Sequence, residues 1–257
     1  MPIVDIGQLQ HWIALWLWPF IRIGACLMTA PVFGATYVPP RIRLVLAAGI
    51  TLPIAPLLPA QPAIELLSVA GVLTTIEQLL IGAALGFALQ LVFDSLALGG
   101  QLIANGMGLG FGFNIDPIRG ASTPALGQLY VVLGTLVFLA LDGHLALIGT
   151  LIDSFRSLPI GESGLDANRW LSLAMWGGKL FSGALGVALP GVTALLVINL
   201  AFGMMSRAAP SLNLFAVGLP VTLVFGLAVA MFGLPGLGNA FSSLLSEGFT
   251  FLHAVTN

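Results

Sequence analysis

The stretch LLSVAGVLTTIEQLLIGAALGFALQLVFDSLALGGQLIA, residues 66–104, carries only two charged side chains, Glu77 and Asp94. It is much longer than the roughly 20 apolar residues that a helix needs to span the hydrocarbon core of a bilayer. Backbone N–H and C=O groups find no water inside a bilayer, so an apolar segment of this length is expected to be helical. The stretch therefore predicts one long or broken membrane helix.

Further apolar segments surround this stretch, and a last amphipathic piece follows them at about residues 237–254. The apolar segments cover about residues 12–35, 42–58, 124–152, 170–200 and 212–232. Hydrophobic residues make up 58% of the chain and charged residues 7%, whereas a soluble domain typically carries about 25% charged residues. Proline inside an apolar segment, as at Pro31, Pro190 and Pro220, is tolerated where neighbouring helices pack against the break. We predict an all-α membrane protein of bent hydrophobic helices and hairpins, not a soluble enzyme.

The charged and metal-binding residues point to no ligand chemistry. The 8 Lys and Arg residues are balanced by 10 Asp and Glu residues without a basic run, so nucleic-acid binding has no electrostatic basis. One cysteine, Cys26, and three scattered histidines do not form a metal-ligand pattern. No phosphate-binding GxxxxGK[ST] motif occurs in the sequence. We expect no metal, no cofactor and no nucleic-acid partner, and we expect contact with membrane lipid.

A glycine-rich stretch follows the long segment. Its residues are Gly106, Met107, Gly108, Leu109, Gly110, Phe111, Gly112, Phe113 and Asn114. Each glycine costs about 1 kcal/mol in a helix relative to alanine, so the pattern predicts a non-helical apolar loop. Such a loop at membrane depth must be buried in protein or line a cavity, and hydrophobic constrictions can close pores. We predict a pore plug sealed by Met and Phe side chains; an ordinary turn between helices is the alternative.

Four charged residues lie within or beside apolar segments: Arg22, Glu77, Asp94 and Lys179. A charge inside a membrane segment is costly, and it usually faces the interior of a helix bundle with a partner. Glu77 is the natural candidate partner for Arg22. Because these four residues form no proton-relay chain, we predict contacts between helices or subunits rather than an ion path.

Gly82-Ala-Ala-Leu-Gly86 forms a GxxxG motif within residues 66–104. Small residues at this spacing allow two helices to approach closely. In a chain with 32 glycines the motif is weak evidence by itself.

A second motif, Gly161-Glu-Ser163-Gly164, has the form found around the serine of rhomboid-type intramembrane proteases. That chemistry needs a histidine base within hydrogen-bond reach of the serine. The histidines of the chain lie elsewhere in the sequence, at His11, His144 and His253. We therefore predict no catalytic residue.

An ordered set of short motifs resembles the FliR/SctT family of type III secretion export gate proteins over nearly the whole chain. No single motif decides the resemblance, and the order of the set makes it specific. The set includes Trp18-Pro-Phe-Ile-Arg22, Val38-Pro-Pro-Arg41-Ile-Arg43, Glu77-Gln-Leu-Leu-Ile-Gly82, Asp116-Pro117, Gly143-His144, Ser154-Phe155-Arg-Ser-Leu-Pro159 and Gly203-Met-Met-Ser-Arg207. Asp142 and Ser211 depart from the family, which often has Asn and Gln at these places.

The resemblance implies a single export-gate domain over residues 1–257 within a helical assembly. Residues from 1 to about 165 would form a FliP-like part with the plug loop at Gly106–Asn114, and residues from about 166 to 257 a FliQ-like part. It further implies assembly with FliP and FliQ, with FlhB at the entrance, in the inner (cell) membrane at the flagellar basal body. Exported unfolded flagellar proteins would pass through the pore.

Two other functions stay open from the sequence. A virulence type III secretion export gate subunit would share the same fold. A secondary transporter for a small solute usually shows paired repeats around a binding site at the membrane midplane, and the sequence holds no second copy of the glycine loop.

Overall fold

The computed structural model describes residues 6–59, 62, 64–109, 125–161, 164–208 and 214–256. No strand occurs within these ranges, which confirms the predicted all-α fold. The helices are α1 (Ile6–Thr29), α2 (Pro40–Ile54), α3 (Val69–Gly106), α4 (Ala125–Ala140), α5 (Gly143–Ser157), α6 (Ala167–Trp176), α7 (Gly178–Ala208) and α8 (Leu214–Thr256). A short 3-10 helix, Ala55–Leu57, extends α2.

The apolar stretch at residues 66–104 forms most of α3, one uninterrupted helix of 38 residues. Two other predicted segments contain breaks. The segment at 124–152 divides into α4 and α5 at Asp142, whose left-handed backbone has φ 53° and ψ 27°. The segment at 170–200 divides into α6 and α7 at Gly177.

The predicted interruption between residues 232 and 237 is wrong. Helix α8 runs for 43 residues with both Pro220 and Pro235 inside it. A proline removes one backbone hydrogen bond and crowds the preceding turn, but neighbouring helices can accommodate the freed carbonyl group. Apolar periodicity therefore continues across both prolines.

Among the described residues, five helical stretches are long and apolar enough to cross a membrane. They are Trp12–Thr29, Pro40–Leu57, Val69–Gly106, Ala167–Met205 and Gly218–Thr256, and the broken pair α4–α5 would be a sixth. Large apolar side chains are also exposed along them, including Val45, Phe181 and Phe232. A soluble protein rarely exposes so much contiguous apolar surface, so the chain is an all-α membrane protein.

The chain divides into two compact units. Unit 1 comprises Met1–Leu91, Asp142–Gly177 and Ser246–Asn257, and unit 2 comprises Val92–Leu141 and Gly178–Leu245. Helices α3 and α8 contribute residues to both units. The division into FliP-like and FliQ-like parts near residue 165 stays a prediction.

In unit 1, helices α1 and α3 meet through the GxxxG motif. A Cβ atom added to Gly86 would lie 2.5 Å from the Cys26 carbonyl oxygen and 2.8 Å from the Ala30 nitrogen. A Cβ atom at Gly82 would collide with the carbonyl group of Arg22. The two helix backbones are therefore in direct contact, and no side chain can stand between them.

In unit 2, α3 packs against α4 and α8. A Cβ atom at Gly100 of α3 would lie 2.7 Å from the Gly127 Cα atom of α4. Phe93 meets Phe138 and Phe241 edge to face, with ring centroids 5.4 Å and 5.2 Å apart. This edge-to-face geometry is one that aromatic pairs prefer, and the three rings form an apolar cluster within the unit.

Candidate functional site

Arg22 of α1 lies at the centre of a buried polar cluster in unit 1 and is fully inaccessible to solvent. Its Nε donates a hydrogen bond to Gln78 Oε1 at 2.7 Å. Its Nη1 donates to the Ser154 carbonyl oxygen at 2.9 Å and to Ser154 Oγ at 3.2 Å, and its Nη2 donates to the Leu158 carbonyl oxygen at 2.9 Å. The guanidinium carbon also lies 4.3 Å from the Phe155 ring centroid.

These contacts, here called the Arg22 cluster, join α1, α3 and α5. Gln78 belongs to α3, Ser154 to α5, and Leu158 follows the last residue of α5. A buried charge is tolerated when its hydrogen-bonding capacity is met with good geometry. The planar guanidinium directs its donors in a fixed fork, so the cluster holds the three helices in one arrangement.

Glu77, the candidate partner of Arg22, makes no direct ion pair with it. Within the described ranges, no carboxylate comes within 4.0 Å of the Arg22 guanidinium, and its acceptors are uncharged oxygens. Glu77 is half-buried on α3 and favours the charge of Arg22 from a greater distance. Gln78, the next residue, makes the contact instead.

Asp94 and Lys179 are half-buried residues of unit 2. Asp94 lies in α3, and Lys179 is the second residue of α7. Each takes part in further interactions of the fold. The role of Arg22, Glu77, Asp94 and Lys179 in contacts between helices or subunits stays a prediction.

The predicted plug begins at the end of α3. Gly106 is the last helical residue, and the Met107 nitrogen still donates to the Ile103 carbonyl oxygen at 3.1 Å. Gly108 turns the chain out of the helix with a φ of +80°, a conformation that residues with a Cβ atom rarely adopt. The remaining plug residues Gly110, Phe111, Gly112, Phe113 and Asn114 lie outside the described part of the chain.

Contacts from α7 and α8 fix the first residues of this loop, an arrangement here called the Met107 anchor. The Met107 side chain is fully buried. Its Cε and Sδ atoms would lie only 2.7 Å and 2.9 Å from a Cβ atom at Gly226 of α8. Thr222 Oγ1 of α8 donates to the Met107 carbonyl oxygen at 3.4 Å. Asn199 Nδ2 of α7 donates to the Gly106 carbonyl oxygen at 3.3 Å.

The described residues contain no group of three or more His, Cys, Asp or Glu side chains that could hold a metal ion. Ser163 of the protease-like motif lies outside the described residues. Two features of the described residues are left as candidates for a function. One is the Arg22 cluster, a buried charge in unit 1, and the other is the Met107 anchor at the start of the glycine-rich loop in unit 2.

Comparison with known proteins identifies the family. The model of the bacterial export proteins, family 1, matches residues 13–248, which run from α1 to near the end of α8. The chain belongs to bacterial export protein family 1. The match includes Arg22, the GxxxG contact and the Met107 anchor, so the features described above all lie within the region that defines this family.

This export protein is similar in sequence to curated flagellar proteins. The flagellar biosynthetic protein FliR of Pectobacterium carotovorum subsp. carotovorum is 41% identical over 95% of this chain and 94% of its own length. The flagellar biosynthetic protein FliR of Escherichia coli (strain K12) is 39% identical over 97% of this chain and 95% of its own length. These similarities confirm the resemblance predicted from the sequence motifs.

Sequence reasoning missed two parts of the site of this export protein. Gln78 carried a usable signal, because Gln78, Gly82 and Gly86 recur every four residues and share one face of a helix. Glu77 lies about 100° away around the same helix axis. Gly226 carried no comparable signal, since its contact with Met107 joins positions far apart in the sequence.

Proposed function

We propose that this chain is a subunit of the flagellar type III protein export gate in the bacterial inner (cell) membrane, within the flagellar basal body. The observation that carries the proposal is the similarity, over nearly its whole length, to relatives named flagellar biosynthetic protein FliR. The long apolar helices support a membrane position. Unfolded flagellar proteins are the cargo that such a gate passes across the membrane, and flagellum assembly requires the gate.

The partners in the proposed assembly are FliP and FliQ, which form the pore together with this chain, and FlhB at its entrance. Exposed apolar side chains occur on the long helices α3, α7 and α8, including Phe87, Phe181 and Phe232. Lipid can cover an apolar surface of any shape, whereas contact with another subunit also needs complementary surface shapes. The FliP-like part, to about residue 165, and the FliQ-like part beyond it would meet their neighbours along these helices.

The loop that begins at Gly106 is the proposed plug of the pore. Burial of Met107 against Gly226 supports a fixed starting point for the loop. The left-handed Gly108 lets the chain leave α3 immediately after this fixed point. The proposed plug continues to Asn114, beyond the described residues.

The assembly is tested by purifying the tagged full-length chain in mild detergent and measuring the mass of the intact particle. We expect a large particle that contains two other small hydrophobic proteins. Recovery of a folded, monodisperse monomer would contradict the gate assembly.

The flagellar role is tested by expressing the chain in Escherichia coli that lacks its own FliR. We expect flagella and swimming to return, because the two proteins align over almost their whole length. Arg22→Met, which is expected to lower the stability of the chain and its abundance in the membrane, serves as the low-activity control. Restored secretion through a virulence system without restored swimming would favour the virulence gate, and saturable solute uptake would favour a transporter.

The plug is tested by deleting residues 108–113 and recording ion conductance across membranes that contain the assembled complex. We expect conductance to rise, because the deletion removes the apolar residues that exclude water from the pore. The control is Gly178→Ala, because a Cβ atom at Gly178 meets nothing within 4 Å. A second six-residue deletion, for example in α8, is unsuitable as a control because it would disrupt assembly. Unchanged conductance in an assembled deletion variant would contradict the plug.

A further inference from the structure

Two carbonyl groups at the end of α3 receive hydrogen bonds from other helices. The last carbonyl groups of a helix lack donors from their own helix, and inside a bilayer no water replaces those donors. The Gly106 carbonyl oxygen accepts from Asn199 Nδ2 of α7 at 3.3 Å, and the Met107 carbonyl oxygen accepts from Thr222 Oγ1 of α8 at 3.4 Å. Side chains of α7 and α8 therefore cap α3 at the point where the glycine-rich loop begins.

The Thr222 hydroxyl group has one proton and two acceptors within reach. Its Oγ1 lies 3.4 Å from the Met107 carbonyl oxygen and 3.0 Å from the Leu219 carbonyl oxygen of its own helix. A hydroxyl group is a single donor, and a threonine in a helix can bond back to a carbonyl oxygen three or four residues earlier. When Met107 moves away, the hydroxyl group keeps the closer acceptor. Thr222 therefore stays hydrogen-bonded whether the loop is held or released.

The surroundings of these contacts also allow the start of the loop to move. Gly108 has a φ of +80° and, as a glycine, can change its backbone angles more freely than other residues. Pro220 lies two residues before Thr222 inside α8 and leaves one backbone hydrogen bond of that helix unmade. Met107 contacts Gly226 through the end of an adaptable side chain. Two long hydrogen bonds and one adaptable side chain form an attachment that can be reversed.

We propose that the Met107 anchor is a release switch for the plug. Asn199 and Thr222 hold the start of the loop while the pore is closed, and both hydrogen bonds break when exported polypeptide displaces the loop. On release, the Thr222 hydroxyl group donates to Leu219 alone. Asn199 and Thr222 are positioning residues, because they act through the loop and need no contact with the exported polypeptide. This inference rests on the proposed plug function of the loop.

The first test records ion conductance across membranes that contain the assembled complex with Thr222→Val or Asn199→Leu. Each substitution nearly keeps the size of the side chain and removes its donor. We expect conductance about two- to three-fold above wild type for each variant and about five-fold for the two together, as for the loss of long hydrogen bonds. Thr222→Ser keeps the hydroxyl group and should conduct like wild type. All values are compared at equal amounts of assembled complex.

Matched controls come from the same two helices. Thr193 of α7 is exposed, and its hydroxyl group donates to the Leu189 and Pro190 carbonyl oxygens of its own helix at 2.7 Å and 3.0 Å. Asn239 is an exposed asparagine of α8. Thr193→Val and Asn239→Leu remove the same chemical groups away from the end of α3, so both should conduct like wild type. Equal leaks in the controls and in the Thr222 and Asn199 variants would overturn the proposal.

A reversible cross-link tests the release step. A Cβ atom at Gly106 would lie 3.6 Å from the Leu195 Cβ atom of α7, within the range of about 3.5–4.5 Å that disulfides join. Oxidation of the double variant Gly106→Cys, Leu195→Cys should therefore tie the end of α3 to α7, as loss of free thiols would show. We expect export of a flagellar subunit to be largely lost after oxidation and to return on reduction, with conductance unchanged. The two single-cysteine variants are the controls, and the native Cys26 is buried.

The deletion of residues 108–113 separates this inference from the plug itself. If the deletion raises conductance but Thr222→Val and Asn199→Leu do not, alone or together, the plug stands and the release switch is overturned. Full export through the oxidised double-cysteine variant would overturn it as well, and so would failure of the two cysteines to cross-link. If the deletion leaves conductance unchanged, the plug is wrong and the release switch is wrong with it.

Discussion

The side chains of Arg22 and Met107 are both fully buried, but different forces hold them. Arg22 makes four hydrogen bonds of 2.7–3.2 Å to described residues. Met107 relies on packing against Gly226 and on two long hydrogen bonds to the backbone at residues 106 and 107, of 3.3 Å and 3.4 Å. The first arrangement is directional and tolerates little displacement, whereas a methionine side chain adapts to irregular space.

This difference suggests that the Arg22 cluster and the Met107 anchor have different roles in the chain. A fixed scaffold is needed where α1, α3 and α5 meet, because a displaced guanidinium leaves several buried groups unpaired. The proposed plug would have to yield to passing polypeptide, so it needs an attachment that can be loosened at small cost. Four substitutions test this contrast, from the largest expected effect to the smallest.

Arg22→Met is expected to cost about 3–5 kcal/mol of unfolding free energy, because each buried acceptor left without a donor costs about 1–3 kcal/mol. The substitution keeps an apolar stem but removes the Arg22 donors from Gln78 Oε1, Ser154 Oγ and the Leu158 carbonyl oxygen, while the Ser154 carbonyl oxygen keeps the Leu158 N–H. The measurement is the unfolding of the purified chain in detergent, together with its abundance in membranes. Arg22→Lys keeps the charge without the planar fork and should lose stability only in part. Wild-type stability in Arg22→Met would contradict a scaffold role for the cluster.

Gly86→Ala is expected to cost about 2 kcal/mol, as overpacking a tight site typically does. The added methyl group meets backbone atoms of Cys26 in α1 and of Ala30 directly after it, which cannot rotate away. The same unfolding measurement applies. Gly49→Ala on α2 is the control, because its Cβ atom meets nothing within 4 Å; equal losses in both variants would contradict the close contact between α1 and α3.

Gly226→Ala is expected to cost about 1 kcal/mol, less than Gly86→Ala, since the added methyl group meets a flexible side chain rather than backbone. Met107→Ala should remove the collision, so the two changes together should cost less than the sum of the separate losses. A double-mutant cycle on unfolding free energy measures this coupling. Strict additivity would show that the two residues do not contact each other in the folded protein.

Thr222→Val is expected to cost about 0.5 kcal/mol, the low end for a single hydrogen bond. Its hydroxyl group reaches the Met107 carbonyl oxygen at 3.4 Å and also donates within α8 to Leu219 at 3.0 Å. Ser154→Ala in the Arg22 cluster is the comparison and should cost more, because its hydroxyl group accepts from a charged donor. A larger loss for Thr222→Val would reverse the contrast between the two regions.

Helix content and membrane character could be predicted because hydropathy is a local property. Residues 66–104 predicted α3 nearly to its ends, and the glycine pattern correctly indicated that the helix would stop near Gly106. Helix breaks were harder, since Gly177 and Asp142 interrupt apolar segments while Pro220 and Pro235 do not. The cost of each break depends on the groups packed against it.

The sequence by itself determined that this chain is helical, belongs in a membrane and resembles the export proteins, because these properties follow from composition and from short ordered motifs. Only the tertiary structure decided which buried groups meet. Arg22 finds Ser154 at a sequence separation of 132, and it contacts Gln78 rather than Glu77 because the glycine contact sets the rotation of α3 against α1. Pairing between distant residues depends on how whole helices pack, and no local pattern encodes that.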